Sequence, residues 1–119
     1  MGDRPILIVD DNIDFAESMV MLLEQEGQPA LASHSVRDAL DTLDANPDIG
    51  FVVADVRMPY VDGLDFARVV RHRFPGMPIA LMTAFPTSAE DGVPRDLPVL
   101  RKPFRIEQVL RMVDKGDKH

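Results

Sequence analysis

Two apolar runs, Ile6-Leu7-Ile8-Val9 and Phe51-Val52-Val53-Ala54, each run directly into a carboxylate. Runs of strand length with no polar alternation read as buried strands. Between them lie stretches whose apolar residues recur at helical spacing. After Val9, the segment DNIDFAESMVMLLEQEGQ puts Phe15, Met19, Leu22 and Leu23 on one helical face. Asp14 is placed to cap that helix and Gly27 to end it. Strands alternating with helices require right-handed crossovers, and the result is a parallel sheet covered on both faces.

The rest of the chain keeps the alternation. Pro29 to Ser33 is a weaker second strand. Ser35 caps a second helix with Val36, Ala39, Leu40 and Leu43 on one face, and Asp38 stands three residues after the cap. Asn46-Pro47 ends it. Phe51 to Ala54 is the third strand, and Pro59 and Gly63 mark the loop that follows. The third helix is expected over Leu64 to Phe74, closed by Pro75-Gly76. Pro78 to Met82 is a fourth strand, Val99-Leu100 a short fifth, and Ile106 to Val113 the last helix.

In an open sheet of this kind, sites form outside the carboxyl ends of the strands, where the strand order reverses. Asp10, Asp11, Asp55 and Thr83 stand at or just past such ends, and Lys102 follows the fifth strand. Alone, each has an ordinary use. Asp10 or Asp11 suits a helix N-cap, Asp55 a turn, Thr83 a strand end and Lys102 the surface. Together they form one candidate site. Clustered carboxylates repel one another, and a hard divalent cation such as Mg²⁺ resolves the repulsion through oxygen ligands. A carboxylate can also attack phosphorus to give an aspartyl-phosphate. Mg²⁺ on one side and Lys102 on the other would neutralise the phosphoryl group, and the Thr83 hydroxyl could hydrogen-bond it.

Composition narrows the field. The 119 residues suit one domain, 1–119, with one core. There is no cysteine, so disulfides, thiolate metal sites and cysteine nucleophiles are out. A net charge of -7 argues against direct nucleic-acid binding. The densest basic cluster, Arg68, Arg71, His72 and Arg73, reads as a solvated helix face. No apolar run approaches a membrane span, and MGDRPILIVDD lacks the layout of a signal peptide. A cytoplasmic protein without membrane contact is expected.

With VDD (Val9 to Asp11), DVRMPYVDG (Asp55 to Gly63), MTA (Met82 to Ala84) and RKPF (Arg101 to Phe104) in this order, the sequence resembles the receiver domain of two-component response regulators, the CheY-like superfamily. The resemblance covers essentially the whole chain. It implies an α/β, flavodoxin-like three-layer sandwich: a five-stranded parallel sheet of order 2-1-3-4-5 with helices on both faces. It implies that Asp55 is the phosphoacceptor and that Asp10, Asp11, Asp55 and the backbone carbonyl of Arg57 hold Mg²⁺. Thr83 matches the switch hydroxyl and Lys102 the site lysine, with Lys102-Pro103 at a peptide bond that is usually cis in the family. The implied donor is a phosphohistidine on a sensor histidine kinase or a histidine phosphotransfer protein. Such a domain catalyses only its own phosphorylation and dephosphorylation, and acts as a switch rather than an enzyme. It works alone or as one domain of a larger regulator or hybrid kinase. Homodimerisation stays open.

Two departures from the family pattern stand out. The aromatic residue often found three positions before the lysine is Val99 here, which puts the common aromatic switch in doubt. The segment after Thr83, with Pro86, Gly92, Pro94 and Pro98, leaves room for only a turn or so of the fourth helix, around Ser88 to Asp91. Arg57 and Phe85 border the phosphoryl position in the family, and are expected to restrict the attacking water and prolong the phosphorylated state. Two rival readings differ in class. A phosphorylation-independent pseudo-receiver would normally have lost an acid or the lysine. A Mg²⁺-dependent phosphatase with Asp10 as nucleophile would want a second acid where Asn12 stands.

Overall fold

The computed structural model describes residues 4–58, 61–83, 97–102 and 104–117. The side chains of 57–58, 61–62 and 114–117 are not among those described. In chain order the elements are β1 (Ile6–Val9), α1 (Ile13–Gln25), β2 (Ala30–Ser33), α2 (Val36–Ala45), β3 (Phe51–Asp55), β4 (Arg57–Met58), β5 (Val61–Asp62), α3 (Gly63–Arg73), β6 (Ile79–Thr83), β7 (Val99–Arg101) and α4 (Ile106–Asp117). The main sheet is parallel, with order β2-β1-β3-β6-β7. Counted without the small β4–β5 pair, that is 2-1-3-4-5, the flavodoxin-like order expected from the sequence.

Alternation along each strand sends side chains to two separate cores. Leu7, Val9, Val52, Ala54 and Leu81 pack with Ala39 and Leu43 of α2 and Phe66 and Val70 of α3. Ile6, Ile8, Val53, Ala80 and Met82 pack with Ala16, Met19 and Leu23 of α1 and Val109 of α4. Every strand of the sheet centre is therefore covered on both faces, which is why it reads as an unbroken apolar run. Burying one such side chain fully contributes about 1.5–3 kcal/mol, so these two clusters carry the fold.

Local chemistry sets the helix limits. Ser35 Oγ accepts from the Asp38 amide at 3.0 Å, which starts α2 as its sequence suggests. Gly27 and Gly76 have φ of 82° and 86°, a left-handed conformation that glycine adopts without a Cβ penalty, so α1 and α3 are followed by turns there. The start of α1 differs from expectation. Its N-cap is Asn12, whose Oδ1 accepts from the Phe15 amide at 3.1 Å. Asp14 instead lies in the first turn, where its charge complements the positive helix end. Helix α3 begins one residue earlier than expected, at Gly63, and the third strand extends to include Asp55.

The loop after β3 contains a short antiparallel pair, Arg57 with Asp62 and Met58 with Val61. Strands of two residues leave no periodic trace in a sequence. The reduced helix expected around Ser88 to Asp91, Phe85 and the Lys102-Pro103 bond all fall outside the described residues.

Candidate functional site

The strand register brings the candidate residues to one edge. Val9 pairs with Ala54, so Asp10 and Asp55 leave the sheet at the same level. Asp55 pairs with Met82, and Thr83 stands one residue further on, opposite Arg101. Two backbone hydrogen bonds fix the rim. The Val56 amide donates to the Met82 carbonyl at 2.9 Å, and the Lys102 amide donates to the Thr83 carbonyl at 2.7 Å. Lys102 thus starts its side chain from the end of the neighbouring strand.

Asp10 is 1% exposed, Asp55 half-buried and Asp11 exposed. A buried carboxylate is costly unless it is paired and hydrogen-bonded. Asp10 has both kinds of partner. Its Oδ1 accepts from the Asn12 amide at 2.9 Å, and its Oδ2 lies 2.8 Å from Lys102 Nζ. The same ammonium lies 3.3 Å from Asp55 Oδ2. One lysine therefore bridges two acids carried by adjacent strands. Asn12 closes the local chain: its amide is taken by Asp10 while its side chain caps α1. The ordinary reading of Asp10 or Asp11 as the helix cap is thereby displaced, because the capping position belongs to Asn12.

Carboxylate oxygens of Asp10, Asp11 and Asp55 all lie within 4.8 Å of one another. Three carboxylates this close repel one another unless a cation lies among them, and Lys102 touches two of the three. The donors are all hard oxygens, drawn from the carboxyl ends of β1 and β3, which the sheet holds in register. This set fits a hard divalent cation.

Thr83 is buried at the carboxyl end of β6, in reach of the same rim by its register. Arg57 opens β4, immediately beyond Val56; its side chain is outside the described set. Val99 is half-buried and packs against the core on the α2–α3 side. Two residues at the site were read from the sequence for other reasons. Phe15, expected as a core position of α1, lies with its ring centroid 4.2 Å from Lys102 Nζ. Its position four residues after Asp11, at the site end of the helix, is the signal that could have found it. Gly63, read as a loop marker, packs directly on the backbone at the end of β3. A Cβ there would come within 2.5 Å of the Asp55 carbonyl oxygen and 2.7 Å of Val56 Cα.

The family model for the response regulator receiver domain matches residues 6–114. Among characterised proteins, the response regulator receiver protein CpdR of Brucella abortus is 28% identical over 115 residues, covering 94% of this chain and 95% of its own length. Response regulator MprA of Mycolicibacterium vanbaalenii is 35% identical over 109 residues, covering 88% of this chain. The chain spans 46% of that relative, and 24% of the DNA-binding transcriptional regulator NtrC of Proteus hauseri, which it also matches. Among solved structures, response regulator TrrA of Thermotoga maritima, determined with Mg²⁺-BeF, superposes with a TM-score of 0.83 at 24% identity, over 95% of this chain and 98% of its own. That likeness is one of fold.

Proposed function

The chain belongs to the response regulator receiver domain family, and on that premise we propose that it accepts a phosphoryl group on Asp55 and switches conformation in response. The observation that carries the reading is the bridge from Lys102 Nζ to Asp10 and Asp55, beside the three-carboxylate cluster. The donor is a phosphohistidine on a sensor histidine kinase or a histidine phosphotransfer protein. An Asp55 carboxylate oxygen forms the new bond to phosphorus. The phosphorus–nitrogen bond breaks, and the imidazole leaves with the electron pair and takes up a proton. Bound by Asp10, Asp11, Asp55 and the Arg57 backbone carbonyl, Mg²⁺ would supply charge neutralisation for the carboxylates and the incoming phosphoryl oxygens.

The chain's own residues do the rest. Asp10, held by Asn12 and Lys102, keeps its carboxylate aimed at the rim. Lys102 already lies against Asp55, so its ammonium is in place to take a phosphoryl oxygen. Thr83 supplies a hydroxyl from the neighbouring strand end. Phosphorylation adds charge and strong acceptors at this edge, and the ion pairs that hold the unphosphorylated arrangement must re-form around them. That exchange is the bias that moves a two-state equilibrium.

Intact mass after incubation with Mg²⁺ and acetyl phosphate tests the reading. The parent is expected to gain one phosphoryl group and Asp55→Ala none. A gain in both would move the acceptor elsewhere. No gain in either, with acetyl phosphate or with a phosphorylated histidine phosphotransfer protein, would favour a phosphorylation-independent binding module.

A further inference from the structure

We propose that Phe15 is a positioning residue for Lys102: the face of its ring holds the ammonium at the mouth of the acid cluster. This inference rests on the reading of Asp55 as phosphoryl acceptor. Lys102 Nζ is 4.2 Å from the Phe15 ring centroid, well inside the range of roughly 6 Å over which a cation is attracted to an aromatic face. The lysine side chain is 21% exposed, so water screens that attraction less than at an open surface.

The ring is itself fixed from two sides. Asn12 binds the Phe15 amide in the first turn of α1, which sets the backbone. Phe104 meets the Phe15 ring edge to face, at 6.1 Å between centroids and 82° between planes. Phe104 follows Lys102 by two residues, so the segment that carries the lysine also braces the ring that receives its ammonium. A lysine alone is a point charge on a flexible stem with freely turning donors. Asp10 and Asp55 both draw it toward the sheet edge. The ring supplies an attraction from the α1 side, and the ammonium is held between the two.

Position matters at the moment of transfer. From acetyl phosphate, an Asp55 oxygen bonds to phosphorus as the bond to the acetyl oxygen breaks, and acetate leaves with the electron pair. Charge on the phosphoryl oxygens must be met where Lys102 stands, and a lysine free to wander meets it less often.

The test replaces Phe15 with mono-, di- and trifluorinated phenylalanine. Fluorine drains the ring face of negative potential while nearly keeping its shape. The initial rate of mass gain from acetyl phosphate in Mg²⁺ is expected to fall stepwise, by about three- to tenfold in total. Phe15→Tyr should stay within about twofold of the parent, and Phe15→Leu should fall at least as far as the trifluorinated protein. In NMR spectra without phosphodonor, the Lys102 ε-methylene protons should be shifted upfield by the ring and return downfield in Phe15→Leu. A flat rate across the fluorinated series in a parent that does accept phosphate, or the absence of the upfield shift, overturns the inference alone. A parent that accepts no phosphoryl group from any donor sinks the reading of Asp55, and the inference with it.

Discussion

Lys102 Nζ lies 2.8 Å from Asp10 Oδ2, although the two residues are 92 positions apart and Asp10 is 1% exposed. The pair ties the chain's first strand to its last through the candidate site. Removing one member of a buried ion pair leaves an uncompensated charge, which costs more than the pair contributes. Lys102→Met should therefore lower stability by about 1–3 kcal/mol, the lower part of the range reflecting the partial exposure of the lysine. Added Mg²⁺ should recover part of that loss, because a second cation can serve the same carboxylates. Urea midpoints with and without Mg²⁺ measure both effects. A loss that Mg²⁺ leaves untouched would argue that Asp10 is not a metal ligand.

Asp11 separates metal binding from folding. It is exposed and crowded by two other acids, so Asp11→Asn should raise stability in chelator, by about 0.5–1 kcal/mol, by relieving their repulsion. With Mg²⁺ at about a hundred times its dissociation constant, the parent should gain about 2.7 kcal/mol, and Asp11→Asn most of that less. Equal Mg²⁺-linked gains in both proteins would remove Asp11 from the ligand set.

Gly63 is predicted to be intolerant of even one added carbon. The atoms that a Cβ would strike, the Asp55 carbonyl oxygen and Val56 Cα, are backbone and cannot turn aside. The Gly63 amide also donates to the Val56 carbonyl at 2.7 Å, which holds the start of α3 against the residue that follows Asp55. Gly63→Ala should cost about 1–3 kcal/mol and slow phosphoryl uptake at Asp55. Unfolding midpoints and intact-mass time courses check the two parts. Normal stability and a normal rate together would mean that α3 shifts without disturbing Asp55.

Asn12 joins the site to α1, so its substitution should be felt at both. Asn12→Ala removes the side-chain acceptor for the Phe15 amide and should cost about 1 kcal/mol. Asn12→Ser keeps a capping oxygen without adding a charge beside the acids, and should stay within a few tenths of a kcal/mol of the parent in chelator. Thermal unfolding of the two variants distinguishes a capping role from a merely local one: equal losses would contradict it.

Much of the fold was legible because burial on both faces leaves short, unbroken apolar runs, and their length and alternation with helix-period stretches mark them as strands. Ile6 to Val9 reads as a strand and is one over those same residues. Ser35 and Gly27 act where turn and cap chemistry put them. The first helix start was misplaced because Asn12 and Asp14 are both good caps, and only the Asp10 carboxylate, by taking the Asn12 amide, orients Asn12 for the task. The β4–β5 pair was too short to show a period.

The sequence by itself determined which chemistry the chain can hold. Its apolar runs and acids, and the order in which they come, dictate a parallel sheet with carboxylates at one edge, because apolar strands must be covered and a strand's carboxyl end is where its next residue emerges. Tertiary structure decided which of those groups touch. That Lys102 bridges Asp10 and Asp55, that Phe15 faces its ammonium, and that Gly63 must lack a side chain are matters of a few ångströms between residues far apart in the chain. Local pattern cannot encode such distances, since they are set by strand register and by how α1 and α3 seat on the sheet.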